Sequence, residues 1–243
     1  MITQSLVVLS ALFFANVVAA EQQYEILTEI FPPYQQYDES SQLTGLSVKL
    51  VKRLFKEAEV DYTILVYPWT RANSIAQTKP DTFIFSILKM ESRLEQFEWV
   101  VPLCHIEVSL YKAKERVDIS INRLSDAKAY RIGIEREQAN EIYLEQHGFK
   151  HDEHLIQVSN NKQLRKMIVA NRVDLILVSN AYIVALIDRG EGTAMNLTQE
   201  YSIKDFEKTL YLAANKNTNP VLINKLKRAY SSLLNSSRFS CNK

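Results

Sequence analysis

Apolar residues in this chain switch repeatedly between a period of two and a period near 3.6, and that alternation constrains its fold more than any other feature. The spacing predicts a strand over 24–30, stopped by Phe31-Pro32-Pro33-Tyr34, because proline cannot continue a ladder. After Gly45, residues Leu46, Val48, Leu50, Val51, Leu54, Phe55 and Ala58 fall on one helical face, with Lys49, Lys52, Arg53, Lys56 and Glu57 mostly on the other. A strand over 62–67, a short helix over 69–77, a Lys79-Pro80-Asp81 turn and a strand over 82–87 follow. A further strand is predicted over 108–112. The second series has strands over 130–134, 155–158, 173–178 and 209–214. Between them the pattern predicts a helix over about 137–147 ended by Gly148, one opened by Ser159, and one over 181–188 closed by Gly190. Asn219-Pro220 opens a last helix over 221–234. Strands interleaved with helices imply an α/β fold with a partly parallel sheet. Periodicity by itself is compatible with one large sheet or with two lobes.

Composition narrows function by exclusion. Only five glycines occur in 243 residues, Gly45, Gly133, Gly148, Gly190 and Gly192. Dinucleotide fingerprints, P-loops and kinase loops need clustered glycines so that backbone can approach phosphate, so those classes are excluded and no cofactor is expected. A formal net charge of +1 gives no electrostatic footprint for nucleic acid. Residues 1–20 carry no charged side chain and end in Val17-Val18-Ala19-Ala20 before Glu21, the pattern of a cleaved secretory signal. No later apolar run reaches the roughly 18 residues a membrane span needs, so a soluble periplasmic or secreted protein is expected.

Cys104 and Cys241 fit neither a metal framework nor a redox CxxC pair. In an oxidising compartment they could form one bridge that closes a long loop, or stand as two unpaired thiols, and spacing leaves both open. His147, His151 and His154 cluster near Asp152 and Glu153, but Gly148 breaks the helix that would align them. They are read as a solvated loop and no metal site is expected.

Several stretches together resemble the family 3 extracellular solute-binding proteins, which include periplasmic receptors for polar amino acids. They are Phe31-Pro32-Pro33-Tyr34, Gly45, Pro68-Trp69-Thr70-Arg71-Ala72, Ile84-Phe85-Ser86, and Arg93 through Phe97-Glu98-Trp99 to Pro102-Leu103. Arg131-Ile132-Gly133, Asn171-Arg172-Val173-Asp174 and Leu210-Tyr211-Leu212-Ala213 extend the likeness over nearly the whole chain after residue 20. The resemblance implies the two-lobed type II periplasmic binding protein fold, with two hinge strands and a ligand cleft between the lobes. It divides the chain into a first lobe of residues 21–109 and 210–243 and a second lobe of residues 110–209.

It also implies site residues. Arg93 stands where the family grips the ligand's carboxylate, and a guanidinium fork suits that task. Lys89 and Arg71 are placed to help it, although the threonine usual three positions before Arg93 is Met90. Phe31, Tyr34, Trp69 and Trp99 are expected to form an aromatic wall, with Ser86 a small polar wall position. In the second lobe the family's ammonium-binding aspartate is replaced by Ser179, and its Gly-Thr-Thr loop by Glu137-Gln138-Ala139. Both changes count against a standard α-amino acid, because a hydroxyl is a poor counter-ion for a desolvated ammonium. Asp174 is read as structural.

The leading expectation is a monomeric periplasmic protein that captures a small polar, carboxylate-bearing ligand, performs no chemistry on it, and serves an ABC permease or a membrane sensor. The resemblance also admits an enzyme like cyclohexadienyl dehydratase, with an acid or base drawn from Glu29, Glu91 or Glu137. A third alternative is a scaffold whose cleft is plugged by its own side chains.

Overall fold

A computed structural model describes residues 23–241, so the signal-like segment over residues 1–20 lies outside the described residues. In chain order the elements are β1 (Tyr24–Thr28), β2 (Gln36–Tyr37), β3 (Leu43–Thr44), α1 (Leu46–Glu57), β4 (Tyr62–Val66), α2 (Trp69–Thr78), β5 (Thr82–Leu88), β6 (Phe97–His105) and β7 (Val108–Ala113). They continue as β8 (Ile132–Glu135), α3 (Ala139–Gln146), β9 (Leu155–Val158), α4 (Asn161–Val169), β10 (Leu175–Ser179), α5 (Asn180–Asp188), α6 (Gly192–Met195), β11 (Leu197–Ser202), β12 (Thr209–Asn215) and α7 (Pro220–Asn235). Among the described residues no helix is long and apolar enough to cross a membrane.

Two five-stranded sheets form the two lobes, in the orders β4-β1-β5-β12-β6 and β11-β7-β10-β8-β9. In the first, β1 runs parallel to β4 and β5, and β12 is antiparallel to β5 and β6. In the second, β8 runs parallel to β9 and β10, while β7 is antiparallel to β10 and β11. The chain passes between the sheets after β6 and returns before β12. The two crossings lie side by side, with the Ile106 amide donating to the Lys208 carbonyl at 2.7 Å and the Ile203 amide to the Val108 carbonyl at 3.1 Å.

Helix boundaries follow local chemistry. Asn219 caps α7 by accepting the Val221 amide, with Pro220 at the first helical position. Helix α4 starts one residue later than predicted, because the Asn160 side chain, not that of Ser159, accepts the Gln163 amide. At the start of α1, Gly45 has φ 127°, and a Cβ there would lie 2.3 Å from the Tyr34 carbonyl oxygen. The amides of Leu46 and Ser47 donate to the carbonyls of Pro33 and Tyr34, so this close approach ties the helix to the Pro-Pro turn. Four strands escaped prediction: the two-residue β2 and β3, and the longer β6 and β11. In β6 the register shifts at two points and Pro102 interrupts the pattern. In β11 a shift between Gln199 and Tyr201 breaks the alternation.

Cys104 and Cys241 form a disulfide across a sequence separation of 137, pinning the last described residue to β6. Asp174 accepts hydrogen bonds from Arg116 at 2.7 Å and from the Arg131 side chain and amide at 3.0 Å. Burial works against its ionisation, yet these bonds hold its carboxyl well below the usual range. It is a structural ion-pair centre.

Candidate functional site

The parallel strands β1 and β8 both end at the seam between the lobes, where open α/β sheets bind ligands. A small cavity of about 50 Å³ lies there and is lined from both sheets. Phe31, Trp69, Ser86 and Arg93 line it from the first lobe, and Glu135, Gln138, Ser179 and Tyr182 from the second. The crossing residues Ile106 and Val108, with Leu210, close its base.

Arg93 ends a short 3-10 turn over Glu91–Arg93 and is only 4% exposed. Its Nη2 donates to the Glu137 carbonyl at 2.8 Å, and its Cζ lies 5.2 Å from the Trp69 ring centroid. Burial lowers its pKa to about 10, against the opposing charges of Glu29 and Glu137, so it stays cationic at neutral pH. Trp69 opens α2 and donates its Nε1–H to the same Glu137 carbonyl at 2.9 Å. Glu137 has a backbone φ of 59°, and its side chain is exposed.

Glu29 follows β1 directly, and Gln138 Nε2 donates to its carboxylate at 2.5 Å across the lobes. Burial raises the Glu29 pKa to about 7, although Gln138 and Arg93 both pull it down. Glu135 is the last residue of β8. Burial and the negative charge of Glu29 push it well above the carboxylate range, with only the Asn161 amide acting the other way. The cavity thus joins one guanidinium to two carboxyls that resist ionisation.

A wider mouth continues outward past Pro32, Tyr67, Pro68 and Asn160. Arg165 there bonds the Tyr182 hydroxyl and lies 3.2 Å from Glu191. Arg189 reaches across to Gln36.

The profile of the bacterial extracellular solute-binding proteins, family 3, matches residues 25–240. The chain belongs to that family. No curated protein sequence matches it significantly. An ancestral arginine-binding protein bound to arginine superposes with a TM-score of 0.78 at 18% identity, over 89% of this chain and 94% of the other. A histidine kinase sensor domain with similarity to periplasmic binding proteins gives 0.78 at 14% identity, over 90% and 93%. The arginine-, lysine-, histidine-binding protein ArtJ from the thermophilic bacterium Geobacillus stearothermophilus gives 0.77 at 16%, over 90% and 92%. At these identities the likeness establishes the shared two-lobed fold.

Of the residues expected from the family pattern, Phe31, Trp69, Ser86, Arg93 and Ser179 meet in the one cavity. Ser86 accepts a bond from Gln35. The Ser179 hydroxyl caps α5 by accepting the Tyr182 amide at 3.1 Å. Four others lie elsewhere. Tyr34 is buried behind Phe31, with its hydroxyl donating to the His105 carbonyl at 3.2 Å. Trp99 packs on the α2 side of the first sheet, against Phe97 and Tyr211. Lys89 is exposed and sits 5.7 Å from the Trp99 ring centroid. Arg71 is exposed over Tyr67 at 4.3 Å. Glu91, named as a possible acid, lines a surface groove beside Lys89.

Glu135 and Gln138 were not identified from sequence as site residues. The signal that finds Glu135 is position, because it closes a strand at the carboxyl edge of a parallel pair. Of the three histidines, only His151 joins a group of metal-capable atoms, with Glu141 and Glu145. The Glu141 carboxylate is already engaged by the Glu137 amide and Gln157.

Proposed function

We propose that this solute-binding protein captures a small polar, carboxylate-bearing ligand in the cleft between residues 21–109 with 210–243 and residues 110–209, and presents it in the periplasm to an ABC permease or a membrane sensor. The observation that carries the ligand class is Arg93, a buried guanidinium at the lobe seam whose forked donors suit a carboxylate. Its present partner is a backbone carbonyl, a neutral acceptor that a carboxylate outcompetes through charge. Contacts drawn from both lobes favour the closed arrangement only when ligand spans them, which is how such a cleft couples capture to shape. The amino-acid-binding neighbours support a small zwitterionic or charged ligand, and the kinase sensor neighbour supports the signalling role beside transport.

A thermal-shift screen of amino acids, carboxylates and small amines tests this reading. At least one carboxylate-bearing compound is expected to raise the melting temperature saturably. A screen in which only compounds lacking a carboxylate do so would refute it.

One observation favours a second reading. Two cavity carboxyls whose pKa values are raised by desolvation are suited to general acid work, so dehydratase-like chemistry at Glu29 and Glu135 is the alternative. Product formation from prephenate or arogenate would favour it, and loss of that turnover in Glu29→Gln would assign it.

A further inference from the structure

We infer that Glu141, Glu145 and His151 form a binding site for a divalent transition-metal ion of the Zn²⁺ type on the second lobe. The site is independent of what the cleft captures, because none of the three residues lines the cavity or its mouth.

A turn brings the residues together. Glu141 and Glu145 stand four residues apart on α3, so their side chains share one face. Sequence alone makes Gly148 the break that keeps the histidines out of helical alignment. In the structure Gly148 takes a φ of 77°, its amide and that of Phe149 donate to the Glu145 and Leu144 carbonyls, and buried Phe149 anchors the returning chain. The reversal carries His151 back to the two glutamates, where a bridge to Leu155 holds its backbone. The other two histidines are turned elsewhere. His147 stacks on Tyr143 and faces Asp205, and His154 Nδ1 accepts the Lys150 amide.

The spacing suits an ion. One donor atom from each residue lies within 4.8 Å of the other two. His151 Nε2 is 3.6 Å from Glu141 Oε1 and 2.7 Å from Glu145 Oε1. Tetrahedral metal bonds of about 2.0–2.2 Å set donor atoms roughly 3.3–3.6 Å apart. The first pair already has that spacing, and the second is a hydrogen bond that opens by roughly 0.6–0.9 Å when a metal takes the proton's place. The Glu145 and His151 side chains are 44% and 39% exposed, so an ion and a water as fourth ligand can enter.

Charge gives the ion a reason to bind. Only 7% of the Glu141 side chain is exposed, and among the described residues no lysine or arginine pairs with it. A carboxylate so buried calls for a compensating cation, and Lys150 on the same loop is paired with Glu153 instead, at 3.3 Å. One imidazole nitrogen with two carboxylate oxygens favours a zinc-type ion over Mg²⁺ or Ca²⁺, which take oxygen ligands.

The surroundings hold Glu141 in place. Its Oε2 accepts the Glu137 amide and its Oε1 the Gln157 side chain, hydrogen bonds of the kind that orient a metal-bound carboxylate. Each oxygen has two lone pairs, so these bonds leave one free for a metal. The Glu137 carbonyl in turn accepts Trp69 and Arg93 from the first lobe. An ion on Glu141 therefore braces the turn through which the second lobe meets the first.

Calorimetric titration of the full chain, carrying no histidine tag, with Zn²⁺ tests the inference. One equivalent is expected to bind saturably, to resist about a hundredfold excess of Mg²⁺, and to raise the melting temperature. His151→Ala and Glu145→Gln, both at partly exposed positions, should each weaken Zn²⁺ binding by at least about tenfold and remove the thermal shift. Melts without metal confirm that these variants remain folded. His147→Ala should bind Zn²⁺ as the wild type does. No saturable binding, Mg²⁺ competing on equal terms, or undiminished affinity in His151→Ala would overturn the site. Loss of binding in His147→Ala alone would move the metal to Asp205 and overturn it as well.

Discussion

Replacing Glu29 with glutamine should stabilise the ligand-free protein, and by more as pH rises. Burial lifts this carboxyl from 4.5 to about 7 even though Gln138 and Arg93 favour its charged form. A group whose folded pKa is raised contributes stability that is fully present below the unfolded value and lost as pH climbs through the folded one. At about 1.4 kcal/mol per pKa unit, the shift corresponds to roughly 3 kcal/mol lost between pH 4.5 and pH above 7. Water at the cavity mouth screens part of this, leaving about 1–3 kcal/mol. For a chain of this size that is roughly 3–10 °C in melting temperature. The assay is thermal unfolding by circular dichroism at pH 4.5, 6, 7.5 and 8.5, on protein unfolded and refolded to strip any bound ligand. Glutamine keeps the shape and an acceptor for Gln138, so the two proteins should melt together at pH 4.5 and diverge above pH 6. A difference that stays flat with pH, or a variant less stable at pH 8.5, would mean that Glu29 is ionised and supported by its partners, and the reasoning would fail.

Two further substitutions probe the scaffold. Gly45→Ala forces a Cβ onto the Tyr34 carbonyl at a positive φ and should cost about 2–3 kcal/mol. Urea unfolding would measure it, and an unchanged midpoint would show that the turn carrying Phe31 is not tied to α1 as described. Removing the disulfide with Cys104→Ser/Cys241→Ser frees a closed loop of more than 100 residues and should cost about 2–5 kcal/mol. A melting temperature equal to the oxidised wild type would contradict that.

How much of this was legible in sequence varies with the distance over which each feature is specified. Local signals carried the alternation of strand and helix, the Asn219-Pro220 helix start, and the left-handed glycines Gly148 and Gly190 that follow helices. Arg93 was legible because its stretch matches the family pattern. Trp99 and Lys89 belong to the same stretch but sit outside the cavity, since sequence neighbours on a strand or turn point to different layers. Glu135 was missed for the opposite reason. Nothing near it in sequence marks it as functional, and it shares a cavity with Glu29 only once the two lobes are built from separate sheets. Glu29 was named only as a candidate acid for an enzyme, because its partner was not visible. The cysteine pairing also needed three dimensions, as the residues lie far apart in the chain.

The central claim is that ligand is captured at Arg93 between the lobes. Its most direct test is the dissociation constant of the best carboxylate-bearing hit for wild type and for Arg93→Ala, measured side by side by calorimetry at one pH and ionic strength. Loss of a buried, charge-assisted bidentate contact predicts affinity weakened by more than about tenfold. Equal affinities would place the ligand elsewhere and contradict the account.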